Sequence, residues 1–294
     1  MTSRSYAYCW ISSYTANWID APAAIEDKAM NENDERIAAG YDAVFGATPN
    51  SPTLARIWRA HALGADFPEG FEHISFVTLA ELHAIATQLR LDATSTFVDL
   101  ACGLGGPGLW VARKTGAHLT GIDLSPVAVV GARARAARLG LSDASSFSDG
   151  TFAATGLDDS TFDGAMSADA LQYAPDKQAA LNEAARILRP GGRLVFACFE
   201  LDAERVTGLP VFGTDPVGDY RPLLERAGFD VSSYAETPDW RKRLTGAYQS
   251  IVDAKTSLTT EMGERAYSSL LVEVLLTLQA RPYRSRVLVS ATRH

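Results

Sequence analysis

The sequence predicts a doubly wound α/β fold. A mostly parallel seven-stranded sheet carries helices on both faces, with an N-terminal helical cap and a helical insertion before the last strand. Two observations carry this reading. Between Thr96 and Phe199, short β-rich apolar runs alternate with helix-length amphipathic segments, as right-handed crossovers onto a parallel sheet require. A glycine-rich turn, Asp99-Leu-Ala-Cys-Gly-Leu-Gly-Gly-Pro-Gly108, joins the first strand to the first helix, at the edge where open α/β sheets bind ligands.

Each element follows from its residues. Thr96–Ala101 reads as a strand, with a helix after it from about Pro107 to Lys114. His118–Ile122 is the second strand. Pro126–Leu139 is a helix opened by proline and stopped by Gly140, the usual asymmetry of helix ends. Ser145–Ser148 and Phe162–Ser167 read as the next strands, followed by a helix over Asp176–Leu188. Arg189-Pro-Gly-Gly192 is a turn into an apolar fifth strand, Arg193–Phe199. Beyond it the chain reads helix (Asp219–Ala227), strand (Gly228–Tyr234), two helices (Pro238–Lys255, Leu258–Ala280) and a final strand, Arg286–Thr292.

Residues 1–95 look helical in pieces, over Glu35–Val44, Ser51–Ala62 and Val77–Leu89. The expected division is therefore a cap or lid at 1–95 and a ligand-binding core at 96–294 bearing the insertion 238–280. The early aromatics Tyr6, Tyr8, Trp10, Tyr14 and Trp18 suit packing and a mobile lid equally.

Composition narrows the partners. A net charge of −8 argues against nucleic acid, which selects a clustered basic surface. The basic clusters Arg133/Arg135/Arg138 and Arg241/Lys242/Arg243 fall in helix-like stretches and read as solvated faces. Cys9, Cys102 and Cys198 show no CxxC or metal spacing, so reduced thiols and no metal site are expected. The N-terminus lacks a signal-peptide pattern, and no uncharged apolar run reaches membrane-spanning length. The expectation is a soluble cytoplasmic protein with a small-molecule partner and no membrane or nucleic-acid partner; a homo-oligomer is compatible with all of this.

Gly103-Leu-Gly-Gly-Pro-Gly108 matches GxGxxG, and Asp123 follows about 20 residues on. Alone, this fits a dinucleotide as well as any other adenosine ligand. Asp99 tips the balance. A pyrophosphate wants bare backbone N–H groups in that loop; a carboxylate repels it and suits an ammonium.

The wider turn, Asp99 to Gly105, closely resembles the first motif of class I S-adenosylmethionine-dependent methyltransferases, whose core is Rossmann-like. Gly121-Ile-Asp-Leu-Ser-Pro126 resembles the second motif, Phe162-Asp-Gly-Ala-Met-Ser167 the fourth strand, and Leu188-Arg-Pro-Gly-Gly-Arg-Leu194 the turn before the fifth. Phe71-Glu-His-Ile-Ser-Phe76 resembles a His-x-Gly segment of the sugar and antibiotic-pathway branch. The resemblance implies S-adenosyl-L-methionine as cofactor and S-adenosyl-L-homocysteine as product; the aromatic N-terminus, Tyr41 and the inserted helices 238–280 suggest a small, largely apolar acceptor of secondary-metabolite type.

It also implies roles. Asp99, Ala101, Cys102, Gly103 and Gly105 would line the methionine half of the cofactor, Ala101 standing where the family usually has glycine. Asp123 would accept the ribose hydroxyls, and Leu124 would lie on the adenine. Gly150, Thr151 and Phe152 would form the adenine edge, with either Asp149 or a backbone group on the amino nitrogen. Ser167 and Ala168 would sit beside the sulfonium. Ubiquinone-, sarcosine- and sugar-type relatives often carry Glu and then His-His after strand four. Here Asp169 replaces the glutamate, and Gln172 and Tyr173 replace the histidines. The base is then Asp169, a cap histidine (His73 or His61), or absent; Tyr173 would orient or stack on the acceptor, and Glu200 is a further candidate. An NAD(P)-dependent oxidoreductase and a noncatalytic cofactor-binding subunit are the alternatives.

Overall fold

The computed structural model describes residues 32–202, 204–206 and 215–294; the aromatic stretch from Tyr6 to Trp18 lies outside them. Three helices come first: α1 (Glu32–Ala47), α2 (Pro52–Ile57), which runs on into a wider π turn over Trp58–Leu63, and α3 (Leu79–Leu89). Ser51 caps α2 by accepting the Leu54 N–H, and Thr78 and Glu81 close a reciprocal capping box on α3. The sheet region follows as β1 (Thr96–Leu100), α4 (Gly106–Thr115), β2 (His118–Asp123), α5 (Pro126–Arg138), β3 (Ser145–Asp149), β4 (Phe162–Ala168), α6 (Lys177–Ile187) and β5 (Leu188–Leu201). Then come α7 (Arg221–Arg226), β6 (Phe229–Glu236), the helices α8 (Trp240–Asp253), α9 (Lys255–Met262) and α10 (Glu264–Ala280), and finally β7 (Arg284–Arg293).

The seven strands form one sheet in the order β3-β2-β1-β4-β5-β7-β6. The first five are parallel, and β7 runs antiparallel to both β5 and β6. Strand order reverses between β1 and β4, which opens a crevice at their carboxyl ends. Alternating side chains divide the core. Val98 and Leu100 pack with α6 and α7 on one face, and Phe97 and Met166 with α3, α4 and α5 on the other. A third apolar cluster joins α1 and α2 to the inserted helices, through Leu54 and Trp58 on one side and Leu244, Ile251 and Leu270 on the other. This roofed crevice is what the fold contributes to function.

Two elements depart from the sequence expectation. The helix expected over Leu258–Ala280 breaks at Gly263, whose φ of 81° stops α9 in the conformation glycine tolerates best. β5 begins at Leu188 rather than after the turn. Leu188 pairs with Phe162 and Arg193 with Gly164, so the expected turn survives as an irregularity within the strand.

Candidate active site

A cavity of about 860 Å³ occupies the crevice. It is bounded below by the strand ends and above by the cap and inserted helices. Asp99, Ala101, Cys102 and Gly103 line it, as do Asp123 and Leu124 after β2, Gly150, Thr151 and Phe152 after β3, and Ala168 at the end of β4. His73, Asp169 and Tyr173 line it too. Two expected residues do not reach it. Gly105 turns the chain at φ 78°, where a Cβ would press on Ala132 and Leu109. The Ser167 hydroxyl is spent on the Leu100 carbonyl at 2.9 Å. Asp149 is exposed and outside the cavity, which leaves backbone groups of 150–152 at that edge.

The turn after β1 explains the acids around it. Ala101 sits at φ 58°, a left-handed conformation that costs a side-chain-bearing residue about 1–2 kcal/mol; this is the physical reason for glycine at that place in related motifs. Asp99 is 1% exposed, and neither carboxylate oxygen has a hydrogen-bond partner. A Cβ on Gly108 would stand 2.6 Å from Asp99 Oδ2, so that glycine makes room for the carboxylate. Burial, then the neighbouring Asp123 charge, push Asp99 up to about 8. Asp123 is also raised by burial, against the pull of two backbone amides. No lysine or arginine among the described residues forms an ion pair with either acid. Two buried carboxyl groups without a counter-ion favour a cationic ligand over a pyrophosphate.

Asp123 is pre-oriented. Its Oδ2 accepts the Gly103 N–H at 2.7 Å and its Oδ1 the Ser125 N–H at 2.9 Å, leaving one lone pair on each oxygen for a vicinal diol. The helix-cap role falls to Ser125, which accepts the Ala128 N–H. The Ser125 hydroxyl also donates to Asp42 of α1. A Cβ on Gly106 would meet the Phe71 carbonyl at 2.6 Å, so the segment through His73 lies directly on the start of α4.

Asp169 was expected as a base and is already engaged. Arg286 of β7, fully buried, donates Nε to Oδ1 at 2.8 Å and Nη2 to Oδ2 at 3.0 Å, and the Phe76 N–H donates to Oδ2 at 2.7 Å. Arg286 Nη1 also reaches Glu81 of α3 at 3.0 Å, and Glu81 in turn pairs with Arg243 of α8 at 3.0 Å. Two cations and two anions thus close a buried network that ties cap, sheet and insertion together. The basic clusters are therefore not simply solvated faces: Arg243 belongs to this network, and Arg135 donates to the Glu72 carbonyl.

His73 shares its Nδ1 with the Ser75 hydroxyl at 2.9 Å, and its enclosed Nε2 has no partner. Burial lowers it to about 4, against the pull of Asp169, so the ring is neutral near pH 7. His61 is exposed and lies outside the cavity. Glu200 turns away from it and accepts the hydroxyls of Tyr234 and Ser285.

The sequence reading missed Glu273. This α10 carboxylate lines the cavity and accepts three phenols: Tyr173 at 2.8 Å and Tyr248 at 3.0 Å on Oε1, and Tyr41 at 3.2 Å on Oε2. Tyr173, an expected site residue, is therefore a donor to this carboxylate.

A family model described as a methyltransferase domain matches residues 98–196. The 27-O-demethylrifamycin SV methyltransferase of Amycolatopsis mediterranei is 30% identical in a match covering 70% of this chain and 79% of that protein. The chain belongs to the class I S-adenosylmethionine-dependent methyltransferases. This methyltransferase is also similar to a sterol 24-C-methyltransferase of Eremothecium gossypii, 28% identical with 96% of this chain and 80% of that protein covered. Among solved structures, the [4+2]-cyclase SpnF aligns with a TM-score of 0.69 at 21% identity, over 88% of this chain and 96% of that one; that likeness speaks for the fold alone. The methyltransferase uses S-adenosylmethionine as its donor, in keeping with the carboxylate pair at Asp99 and Asp123. Among the described residues no helix is long and apolar enough to cross a membrane.

Proposed function

We propose that this methyltransferase passes the donor's methyl group to a small, largely apolar organic acceptor seated beneath the cap. The observation that carries the reading is the upper wall of the cavity. Leu54, Trp58, Phe67, Phe76, Phe199 and Leu270 line it, which favours a bulky hydrocarbon over a small polar acceptor. The named relatives, a rifamycin-precursor and a sterol methyltransferase, support the same class.

The donor supplies a methyl group already activated on sulfonium. This chain's residues hold and align it: Asp99 takes the methionine ammonium, Asp123 the ribose hydroxyls, and Leu124 with the 150–152 backbone the adenine. Ala168 borders the sulfonium, and the roof excludes water from an in-line displacement. Asp169 positions rather than reacts, since its oxygens hold Arg286 and the Phe76 amide. His73, lowered to about 4, is a wall residue too weakly basic for a neutral-pH base.

The test pairs calorimetry with transfer. S-adenosylhomocysteine should bind and NAD should not. Labelled donor should mark lipophilic ring or isoprenoid acceptors in preference to glycine-sized ones. Transfer confined to small polar acceptors, or absent from every acceptor while S-adenosylhomocysteine binds, overturns the proposal.

A further inference from the structure

One charge in the cavity is unexplained by donor binding. Glu273 projects from α10 into the largely apolar upper part of the cavity, and a carboxylate buried there costs stability unless it is paired or used. Tyr41 of α1, Tyr173 after β4 and Tyr248 of α8 converge on it from three separate elements. Burial holds all three phenols well above their ordinary range, so near neutral pH they are protonated and donate. A phenol has a single proton. With it given to Glu273, what the oxygens of Tyr41 and Tyr248 offer to a ligand is lone pairs, while Gln172 already donates to the Tyr173 oxygen.

The opposite charge nearby is Arg284 of β7, a buried guanidinium whose Nε has no partner and which makes no ion pair among the described residues. Burial holds the Glu273 carboxyl above its ordinary value, against the three tyrosine hydrogen bonds and then the Arg284 charge, which lower it. Glu273 thus combines three donors that fix its geometry with a proton affinity greater than that of a solvated glutamate.

We infer that this tyrosine-rimmed carboxylate is the acceptor's anchoring point and proton sink, and that the acceptor presents a hydroxyl or amine to it. The inference rests on the methyl-transfer reading above. A phosphate, a carboxylate or a bare alkene has no proton to give the phenol oxygens, so such a group is not what the rim receives. As the acceptor's lone pair forms its bond to the methyl carbon, the carbon–sulfur bond breaks and its electron pair stays on sulfur. The acceptor's proton passes to a rim phenol oxygen while that phenol's own proton passes to Glu273. The products are a thioether, a methyl ether or methylamine, an intact phenol and a neutral carboxylic acid, which returns its proton to solvent when the products leave.

Glu273→Gln keeps the shape and removes the proton affinity; Tyr248→Phe removes one donor. The assay uses labelled donor with a panel of lipophilic alcohols, phenols and amines, beside alkenes and diphosphates of matched skeleton. Expected is transfer to the hydroxyl or amine members, falling about 100-fold or more in kcat for Glu273→Gln and less for Tyr248→Phe, with S-adenosylhomocysteine affinity unchanged in both. The acid limb of the native pH–rate profile should vanish in Glu273→Gln. Native-like turnover in that variant, or transfer restricted to acceptors without O–H or N–H, overturns this inference and leaves the methyl-transfer proposal standing. Absence of transfer to every panel member defeats both.

Discussion

Replacing Asp169 by asparagine separates two roles that its position alone cannot. Asp169 sits at φ 56°, a left-handed conformation that asparagine adopts as readily as aspartate, so the backbone is not perturbed. The charge is. Arg286 is fully buried and donates to both Asp169 oxygens; without that carboxylate its one remaining counter-ion is Glu81, which Arg243 already shares, beside the neutral Thr237 hydroxyl. Four charges summing to zero become a buried excess of one cation. Removing one partner of a buried pair costs about 3–5 kcal/mol, and the Phe76 N–H loses part of its acceptor as well. A loss of about 3 kcal/mol in unfolding free energy is therefore expected.

Urea unfolding of the free protein measures that loss, and steady-state kinetics with labelled donor measures turnover. The structural role predicts a large stability defect and a modest fall in kcat, as the His73–Phe76 segment loosens over α4. It also predicts that Asp169→Asn combined with Arg286→Met recovers much of the loss, because Glu81 and Arg243 remain paired. A base role predicts the reverse. If Asp169→Asn unfolds within about 1 kcal/mol of the native protein and yet loses 100-fold or more in kcat, the reasoning from the ion-pair network is wrong.

Asp123→Ala should weaken S-adenosylhomocysteine binding by about 1–3 kcal/mol, as for loss of charge-assisted contacts; equal affinity by calorimetry places the ribose elsewhere. Because Asp99 is pushed up to about 8, the free protein holds a proton at pH 7 that a bound ammonium displaces. Calorimetry in buffers of different ionisation enthalpy should show a release approaching one proton, lost in Asp99→Asn. The sign for stability follows: folded protein keeps this proton between about pH 4 and 8 where the unfolded chain has lost it, so unliganded stability falls as pH rises through that window, and a rise attributable to Asp99 contradicts it. Ala101→Gly should relieve the left-handed strain of about 1–2 kcal/mol against an entropy cost of about 0.5–1 kcal/mol, a net gain that urea unfolding can read; a loss of stability shows that the methyl packs usefully.

The wall of the cavity proposed to hold the donor was legible because it is local. Turn, carboxylate and adenine edge each follow a strand within a few residues, so Asp99, Gly103, Asp123 and Gly150 to Phe152 could be placed from sequence spacing and motif resemblance. Where spacing misled, packing decided: Gly105 serves the turn and the Ala132 contact, and Ser167 serves the end of β1. The acceptor half was not legible, since Tyr41, Tyr173, Tyr248 and Glu273 meet across up to 232 positions of chain. Even so, the sequence held a signal. Glu273 is a lone acid inside Leu270-Leu-Val-Glu-Val-Leu-Leu276, and Arg286 stands at the head of an apolar strand. Charges embedded in apolar runs are costly, and each proved to have partners in tertiary structure.

The two carboxylate sites of the cavity are built on opposite plans, and the reaction links them. Asp99 has no hydrogen-bond partner and no counter-ion, so its stabilisation waits for a cation. Glu273 is fully furnished with donors and waits for a proton. On the proposed reaction the donor loses its sulfonium charge in the same event in which Glu273 loses its negative one. The cavity's net charge then stays constant from substrates to products. An apolar roof can remain closed through such a transfer without stranding an ion, whereas methylation with no internal proton acceptor would move the donor's cation onto the product and leave it, with the Glu273 charge, in a low-dielectric chamber. An apolar chamber holding one tyrosine-bound acid is thus better suited to acceptors that lose a proton as they gain the methyl.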